Sequence, residues 1–379
     1  MGLGSKLFLL HALSVISAAL LALPGAYAAD ITEESVMIQT FDGISLSGRL
    51  AIPDSNPKAV VVIISGSGNV AADGDVSSPL LGWGYKGAPA KLSEQIATKL
   101  ASAGIASIRY SKRGVEDPAQ LPNQTVPFLI KDAKSAMNFV RSRFPTAKLG
   151  LVGFSEGALL SVIIAGEEKV DALFLPGPAT RPLDEILSYQ FKQWPTELLA
   201  RKLDTNHDGE ISALELSVLG ENGKFPLLGL ELLGALPATI DTNKDGAISV
   251  KNELIPAYES QYQYVLVIAM SPAFKNWYLS HKDLSPFAEY AKKVTAPIYF
   301  YQASDDAQLN AKWIEADRSL FTVKTELQTF KNLGHCFSPM DGVIGEIKTS
   351  GPFSESLLEK LAQDVQKSPL LSSESQKIN

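Results

Sequence analysis

The chain has 379 residues, 45% of them hydrophobic, with a formal net charge of −7 and one cysteine, Cys336. The acidic balance argues against nucleic acid as a partner. A single cysteine excludes an internal disulfide framework, so stability has to come from a packed core, for which the length is ample.

The chain opens on Lys6, an apolar run from Leu7 to Leu23, and Pro24-Gly25-Ala26-Tyr27-Ala28. A basic start, an apolar middle and an A-x-A ending describe a secretory signal peptide over residues 1–28, cut after Ala28, and a periplasmic or secreted product. No second apolar run reaches membrane length, so no integral span is expected after cleavage. Phe41 to Leu50 reads as an edge strand pair and Val60 to Ile64 as a parallel strand buried on both faces. Leu92 to Ala103 reads as a helix ended by Gly104, Ile105 to Tyr110 as a strand, and Phe128 to Phe144 as an amphipathic helix. The strand Lys148 to Val152 runs into Gly153-Phe154-Ser155-Glu156-Gly157, followed by the helical run Ala158 to Ala165 and the strand Ala172 to Leu175.

The alternation then stops for about a hundred residues, an interval read directly off the sequence. It resumes with the strand Pro297 to Tyr301, a helix from Asn310 to Leu320, the strand Lys324 to Phe330 and a closing helix from Phe353 to Gln366. Strands alternating with helices predict an α/β fold built on a doubly wound, mostly parallel sheet. The interruption predicts an all-α insertion at 181–285, between a first core part at 29–180 and a second at 286–379.

The G-x-S-x-G run supplies the first chemical signal. Between a strand and a helix it makes a sharp, strained turn that lifts the serine hydroxyl clear of the sheet, whereas a plain helix N-cap is the alternative use of Ser155. A serine nucleophile needs a base, and the base an orienting acid. His207 lies in a metal-type loop and His281 in the inserted region, which leaves His335, directly after the last predicted strand. The acid is expected in the loop after the preceding strand, where Asp305 and Asp306 both stand. The oxyanion hole needs two backbone N–H groups: that of Glu156, and one from Ser65-Gly66-Ser67-Gly68-Asn69 after the strand ending at Ile64.

With these parts in place the chain resembles the α/β-hydrolases, closest to small-ester, dienelactone-hydrolase-like or prolyl-peptidase-like enzymes. Those carry a Gly-Ser-Gly-Pro loop, a Tyr-Asp-Lys-Arg-Gly loop and a Gly-x-Ser-Glu-Gly elbow. Here they stand as Gly66-Ser67-Gly68-Asn69, Tyr110-Ser111-Lys112-Arg113-Gly114 and Gly153-Phe154-Ser155-Glu156-Gly157. The resemblance spans roughly residues 35–180 and 290–370. It implies Asp306 over Asp305 as the acid and Ser67 as the source of the second oxyanion amide. Asn69 replaces the family's proline, Ser111 its aspartate and Ala303 the glycine of its acid loop; none of these removes a catalytic atom.

The insertion carries a second signal. Asp204 to Glu215 satisfies the twelve-residue EF-hand pattern, with Asp204, Asn206, Asp208, the Glu210 carbonyl and Glu215 as calcium ligands. Asp241 to Asn252 repeats it, with Asp241, Asn243, Asp245, the Ala247 carbonyl and Asn252 in the same places, and Ile248 matching Ile211. Asn252 offers one oxygen where glutamate offers two. Weaker binding is expected at the second site unless its loop shifts to use Glu253. The segment resembles an EF-hand pair in the position of a lid, holding up to two structural calcium ions, with Leu227 to Leu233 and Tyr262 to Met270 as lid core or pocket wall.

The sequence therefore predicts an exported serine hydrolase acting on small-molecule carboxylic esters. A peptidase, amidase or thioesterase on the same triad is the alternative, and a non-catalytic calcium-binding protein the alternative of another class. Cys336 reads as a packing residue, and nothing in the chain indicates an oligomeric state.

Overall fold

The computed structural model describes residues 32–54, 56–75, 90–219, 240–339 and 351–372. The expected signal peptide at 1–28 and the run Leu227 to Leu233 lie outside them. No helix among the described residues is long and apolar enough to cross a membrane.

Ten strands are used below: β1 Thr32–Gln39, β2 Ser45–Ile52, β3 Ala59–Ile64, β4 Ala106–Tyr110, β5 Lys148–Gly153, β6 Ala172–Pro176, β7 Glu210–Ser212, β8 Ala247–Ser249, β9 Ile298–Ala303 and β10 Thr325–Phe330. All but β7 and β8 form one sheet in the order β1-β2-β4-β3-β5-β6-β9-β10. From β4 onward every neighbouring pair is parallel, whereas β2 runs antiparallel to both β1 and β4. The edge pair thus begins earlier than Phe41. β1 escapes the sequence reading because it is an edge strand whose residues are mostly exposed, so no apolar alternation marks it.

The centre of the sheet shows why the strands are continuous apolar runs. All six residues of β3 are buried. Val60, Val62 and Ile64 pack on one face with Leu129, Ala133 and Met137 of α2 (Val126–Arg143) and with α3 (Glu156–Glu167). Ala59, Val61 and Ile63 pack on the other with Ile96 and Leu100 of α1 (Leu92–Ser102) and Leu357 and Leu361 of the C-terminal helix Glu355–Lys367. A strand with helices on both faces has no solvent side, and each fully buried Val or Ile side chain contributes about 1.5–3 kcal/mol. Cys336 is buried in the second of these cores.

Between β6 and β9 the chain leaves the sheet as a helical insertion. Its helices are α4 (Leu183–Ser188), α5 (Trp194–Leu203), α6 (Ala213–Leu216), α7 (Ile255–Ala269), α8 (Lys275–Lys282) and α9 (Phe287–Ala291), with π-helical turns at Tyr189–Gln193 and Val250–Leu254. Two small cores hold it. Leu199, Leu203, Ile211, Ile248, Leu254 and Tyr258 make one, and Leu183, Leu187, Phe191, Leu198, Val265 and Tyr278 are in the other. Helices α5 and α7 contribute to both, so the two cores share a frame. Tyr262, Val265 and Leu266 pack within this insertion, while Tyr264, Val267 and Met270 are exposed, so Tyr262 to Met270 is not a pocket wall.

Candidate active site

Ser155 stands between β5 and α3 with φ 55° and ψ −116°, a conformation that non-glycine residues rarely adopt. Its neighbours permit the turn. A Cβ on Gly153 would lie 2.3 Å from the Gly157 carbonyl oxygen, and one on Gly157 2.1 Å from that of Ile64. The amide of Ser155 donates to the Pro176 carbonyl at 3.0 Å, which pins the elbow to the end of β6.

The structure brings three expected residues into line. Ser155 Oγ lies 3.1 Å from His335 Nε2, and His335 Nδ1 lies 2.9 and 3.0 Å from the two carboxylate oxygens of Asp306. All three side chains are buried. Asp306 is held by the amides of Gln308 and Leu309 at 2.8 and 2.9 Å and by Gln302 Nε2 at 3.2 Å. Asp305, the other candidate, is half-buried and accepts from Ser304 Oγ. Its neighbour has the inward position because the turn after β9 aims two backbone N–H groups at it.

Ser67 and Glu156 border the same cavity as Ser155 and His335. Glu156 is the first residue of α3, so its N–H has no intrahelical acceptor and is free to face a ligand. The loop carrying Ser67 is tied down by the residues that depart from the family pattern. Asn69 Nδ2 donates to the Gly114 carbonyl at 3.3 Å and Asn69 Oδ1 accepts from Gln124 at 2.8 Å, while Ser111 Oγ accepts from the Ala72 amide at 3.0 Å. The cavity has a volume of about 790 Å³ and is walled mainly by apolar side chains, among them Leu121, Ile186, Leu187, Phe191, Phe274 and Trp277. Its outer wall comes from α4, the π-turn and α8 of the insertion.

Three residues that the sequence reading left without a role meet around Glu156, next to Ser155. Lys112 Nζ donates to Glu156 Oε2 and to the Gly66 carbonyl, both at 2.5 Å. Trp277 Nε1 and His281 Nε2, both on α8, lie 2.7 and 3.0 Å from Glu156 Oε1, and His281 Nδ1 lies 2.9 Å from the Trp277 carbonyl. Burial pushes the Glu156 carboxyl up, but Lys112 and His281 outweigh it and hold the group ionised well below the usual carboxylate range. Lys112 stood in the motif that carried the resemblance; His281 and Trp277 are reached only through the fold. Beside Lys112, Arg113 is fully buried, bidentate to Asp132 at 2.7 and 2.5 Å, and lies over the Phe128 ring at 4.5 Å.

In the insertion the two loops are built alike. Asp204 accepts from the amides of Asp208 and Gly209, and Asp241 from those of Asp245 and Gly246. β7 and β8 pair antiparallel with Ile211 opposite Ile248. Glu215 receives the amides of Thr205 and Ser212 on its two oxygens, contacts that hold its carboxyl down to about 2. In the second loop Glu253 takes those contacts from Thr242 and Ser249. Asn252, expected to close that loop, is exposed. The reason is local: the π-helical turn at Val250–Leu254 absorbs one extra residue and rotates Glu253 into the closing position. Asn206 and Asn243 contact Asp208 and Asp245 in the same way in each loop, and Glu210 and Ala247 begin the paired strands. The donors are all oxygens, the hard set that suits calcium.

A sheet in which only β2 is reversed, with a serine elbow after its fifth strand and Asp306 and His335 on later loops, is decisive for the fold. The chain has the α/β-hydrolase fold. Sequence comparison finds a stretch of 149 residues 32% identical to "Esterase EstD" of Thermotoga maritima, covering 39% of this chain. The alignment takes in 34% of that relative, so this chain spans about a third of the length of the curated protein it matches. Among solved structures, Est1E from Butyrivibrio proteoclasticus superposes with a TM-score of 0.47 at 14% identity, over 88% of this chain and 98% of that one. The Pyrococcus furiosus esterase Pf2001 gives 0.49 at 13% identity, over 89% and 93%. Dienelactone hydrolase from Anabaena variabilis gives 0.46 at 12% identity, over 89% and 98%. Residues 201–219 match the family model described as "EF hand".

Proposed function

We propose that this α/β-hydrolase is an exported serine hydrolase that cleaves carboxylic esters of small molecules through an acyl-serine intermediate. The observation that carries the reading is the hydrogen-bonded line Ser155–His335–Asp306 opening on a mainly apolar cavity. His335 takes the proton of Ser155 as Oγ attacks the acyl carbonyl, and Asp306 holds the ring with Nε2 aimed at the serine. The amides of Glu156 and Ser67 receive the charge that develops on the carbonyl oxygen. His335 then protonates the departing alkoxide, and water, activated by the same ring, releases the acid and restores Ser155. The likeness to a protein named an esterase supports esters as the substrates. Export rests on the composition of residues 1–28, and its check is N-terminal sequencing of the secreted protein, which should begin at Ala29.

Asp204, Asn206, Asp208, Glu210 and Glu215 would hold one calcium ion, and Asp241, Asn243, Asp245, Ala247 and Glu253 a second. The ion's contribution when bound is to join carboxylates that otherwise repel, and so to fix the lid frame built on α5 and α7. The test is hydrolysis of p-nitrophenyl acetate, butyrate and octanoate, in calcium and in EDTA. Turnover of all three is expected in calcium, since about 790 Å³ takes an octanoyl chain. Ser155→Ala should abolish it while changing stability by less than about 1 kcal/mol. Turnover by the alanine variant at the parent's rate would refute the nucleophile. A folded, inactive parent would refute the ester reading.

A further inference from the structure

We infer that Lys112 is a positioning residue for the oxyanion hole, locking the two peptide groups that supply its N–H donors; the inference rests on the serine-hydrolase reading above. The first of those donors is the Glu156 amide, the second that of Ser67. Lys112 reaches both peptides by different routes. Its ammonium group donates to the Gly66 carbonyl at 2.5 Å, and the Gly66 carbonyl and the Ser67 N–H are the two ends of one planar peptide group. A cation on the oxygen fixes the plane of that peptide and draws electron density away from its N–H, which makes the N–H a stronger donor. The same ammonium donates to the Glu156 carboxylate at 2.5 Å, on the residue whose backbone N–H is the other donor. One buried lysine thus clamps the loop after β3 to the first turn of α3, with Gly66 running beside Ser155.

The surroundings make the clamp stiff. Lys112 and Glu156 side chains are 4% and 3% exposed, so their pairing is not screened by water. The remaining carboxylate oxygen of Glu156 is taken by Trp277 and His281, so the carboxylate has no freedom to leave the lysine. On the other side the Lys112 amide donates to the Val70 carbonyl at 2.9 Å, and Arg113 is anchored between Asp132 and Asp42. A lysine serving only to neutralise Glu156 would not need the Gly66 carbonyl. Lys112 is not among the residues that line the cavity; its effect is carried through two backbone groups.

The experiment uses a fluorophosphonate, which Ser155 Oγ attacks at phosphorus, with fluoride leaving and the serine proton passing to His335. The phosphoryl oxygen of that adduct sits where an oxyanion would, so the labelling rate reads the hole without any assumption about the natural substrate. Lys112→Met combined with Glu156→Gln removes the clamp without stranding a buried charge, and Glu156→Gln alone is the second variant. The double variant should label at least about tenfold more slowly than the parent. Its kcat on p-nitrophenyl butyrate should fall by the same factor with KM within about twofold, and an alkylboronic acid should bind more weakly by that factor. Glu156→Gln alone, which keeps the lysine on Gly66, should fall between the two. Labelling at the parental rate by folded double variant would overturn the inference, as would a loss confined to KM. If the parent labels but hydrolyses no ester, the substrate reading fails while the labelling rates still decide the role of Lys112. If the parent does not label, the nucleophile falls and the role of Lys112 with it.

Discussion

Asp305 and Asp306 are adjacent, equally charged and on one loop, yet their side chains do different things. Asp306 accepts two backbone N–H groups and faces His335, whereas Asp305 accepts from Ser304 Oγ and is partly exposed. Asp306→Asn should therefore lower kcat by about 10³–10⁴-fold, because an amide N–H aimed at Nδ1 forces the wrong tautomer on the ring. Asp305→Asn should leave kcat within about threefold, since it is Asp306, and not Asp305, that meets the His335 ring among the described residues. Steady-state kinetics of the two variants separates them, and comparable losses would mean that the loop rather than one carboxylate matters. The sequence left these two residues level, and only the family pattern ranked them. The ranking depends on where the chain turns after β9, which is a matter of two backbone amides, and amides carry no signature in the amino-acid code. Ser155 was more legible because its strain is local: the glycines that make room for it lie two residues either side.

At the scale of elements, the loop Tyr110 to Gly114 divides its work between two neighbouring cations. Lys112 pairs with Glu156 and the Gly66 carbonyl, while Arg113 is fully buried between Phe41 and Phe128 and pairs with Asp132 on α2. Removing one partner of such a pair leaves the other charged and buried, so Arg113→Ala should destabilise the protein by about 3–5 kcal/mol in urea unfolding. Conversely, a loss under about 1 kcal/mol would mean that water replaces the guanidinium at little cost. Glu156 gives a prediction in pH. Its carboxyl is held below its ordinary value of 4.5, so its stabilisation is complete above about that pH and drains away as pH falls beneath it. In that window one extra proton binds the unfolded chain, a slope of about 1.4 kcal/mol per pH unit. The Lys112→Met/Glu156→Gln variant should therefore show a shallower fall in unfolding free energy below pH 4.5 than the parent. Parallel curves would show that Glu156 titrates normally. None of this cluster is legible along the chain, because Lys112, Glu156 and His281 lie on three elements that only the sheet order and the returning insertion bring together.

Across the whole molecule, the insertion links two sites that share no residue. Leu199 and Leu203 of α5 pack in the core of the calcium-type loops, while Leu198 of the same helix packs with Leu187 and Phe191, which wall the cavity. α7 does likewise, with Tyr258 in the first core and Val265 in the second. The insertion also reaches the Ser155–His335–Asp306 line, since Tyr189 OH donates to the Asp306 carbonyl at 3.2 Å and Trp277 and His281 hold Glu156. The strand–helix rhythm breaks in the sequence between Ala172–Leu175 and Pro297–Tyr301, and the loop motif marks two turns within that break. What the motif could not show was the one-residue shift that exposes Asn252 and seats Glu253, because a π-turn has no sequence pattern of its own. The shift changes the expected order of effects. With Glu253 closing the second loop as Glu215 closes the first, Glu215→Gln and Glu253→Gln should each remove or weaken one calcium-binding event in titration calorimetry. Asn252→Ala should leave both events within about twofold, because its side chain faces solvent. The same two glutamine variants should lower the melting temperature in calcium toward the value in EDTA and slow ester turnover, through the packing of α5 and α7 rather than through the catalytic residues. Weakened binding in Asn252→Ala with Glu253→Gln unaffected would place the closing ligand back at the twelfth position and break the symmetry between the loops.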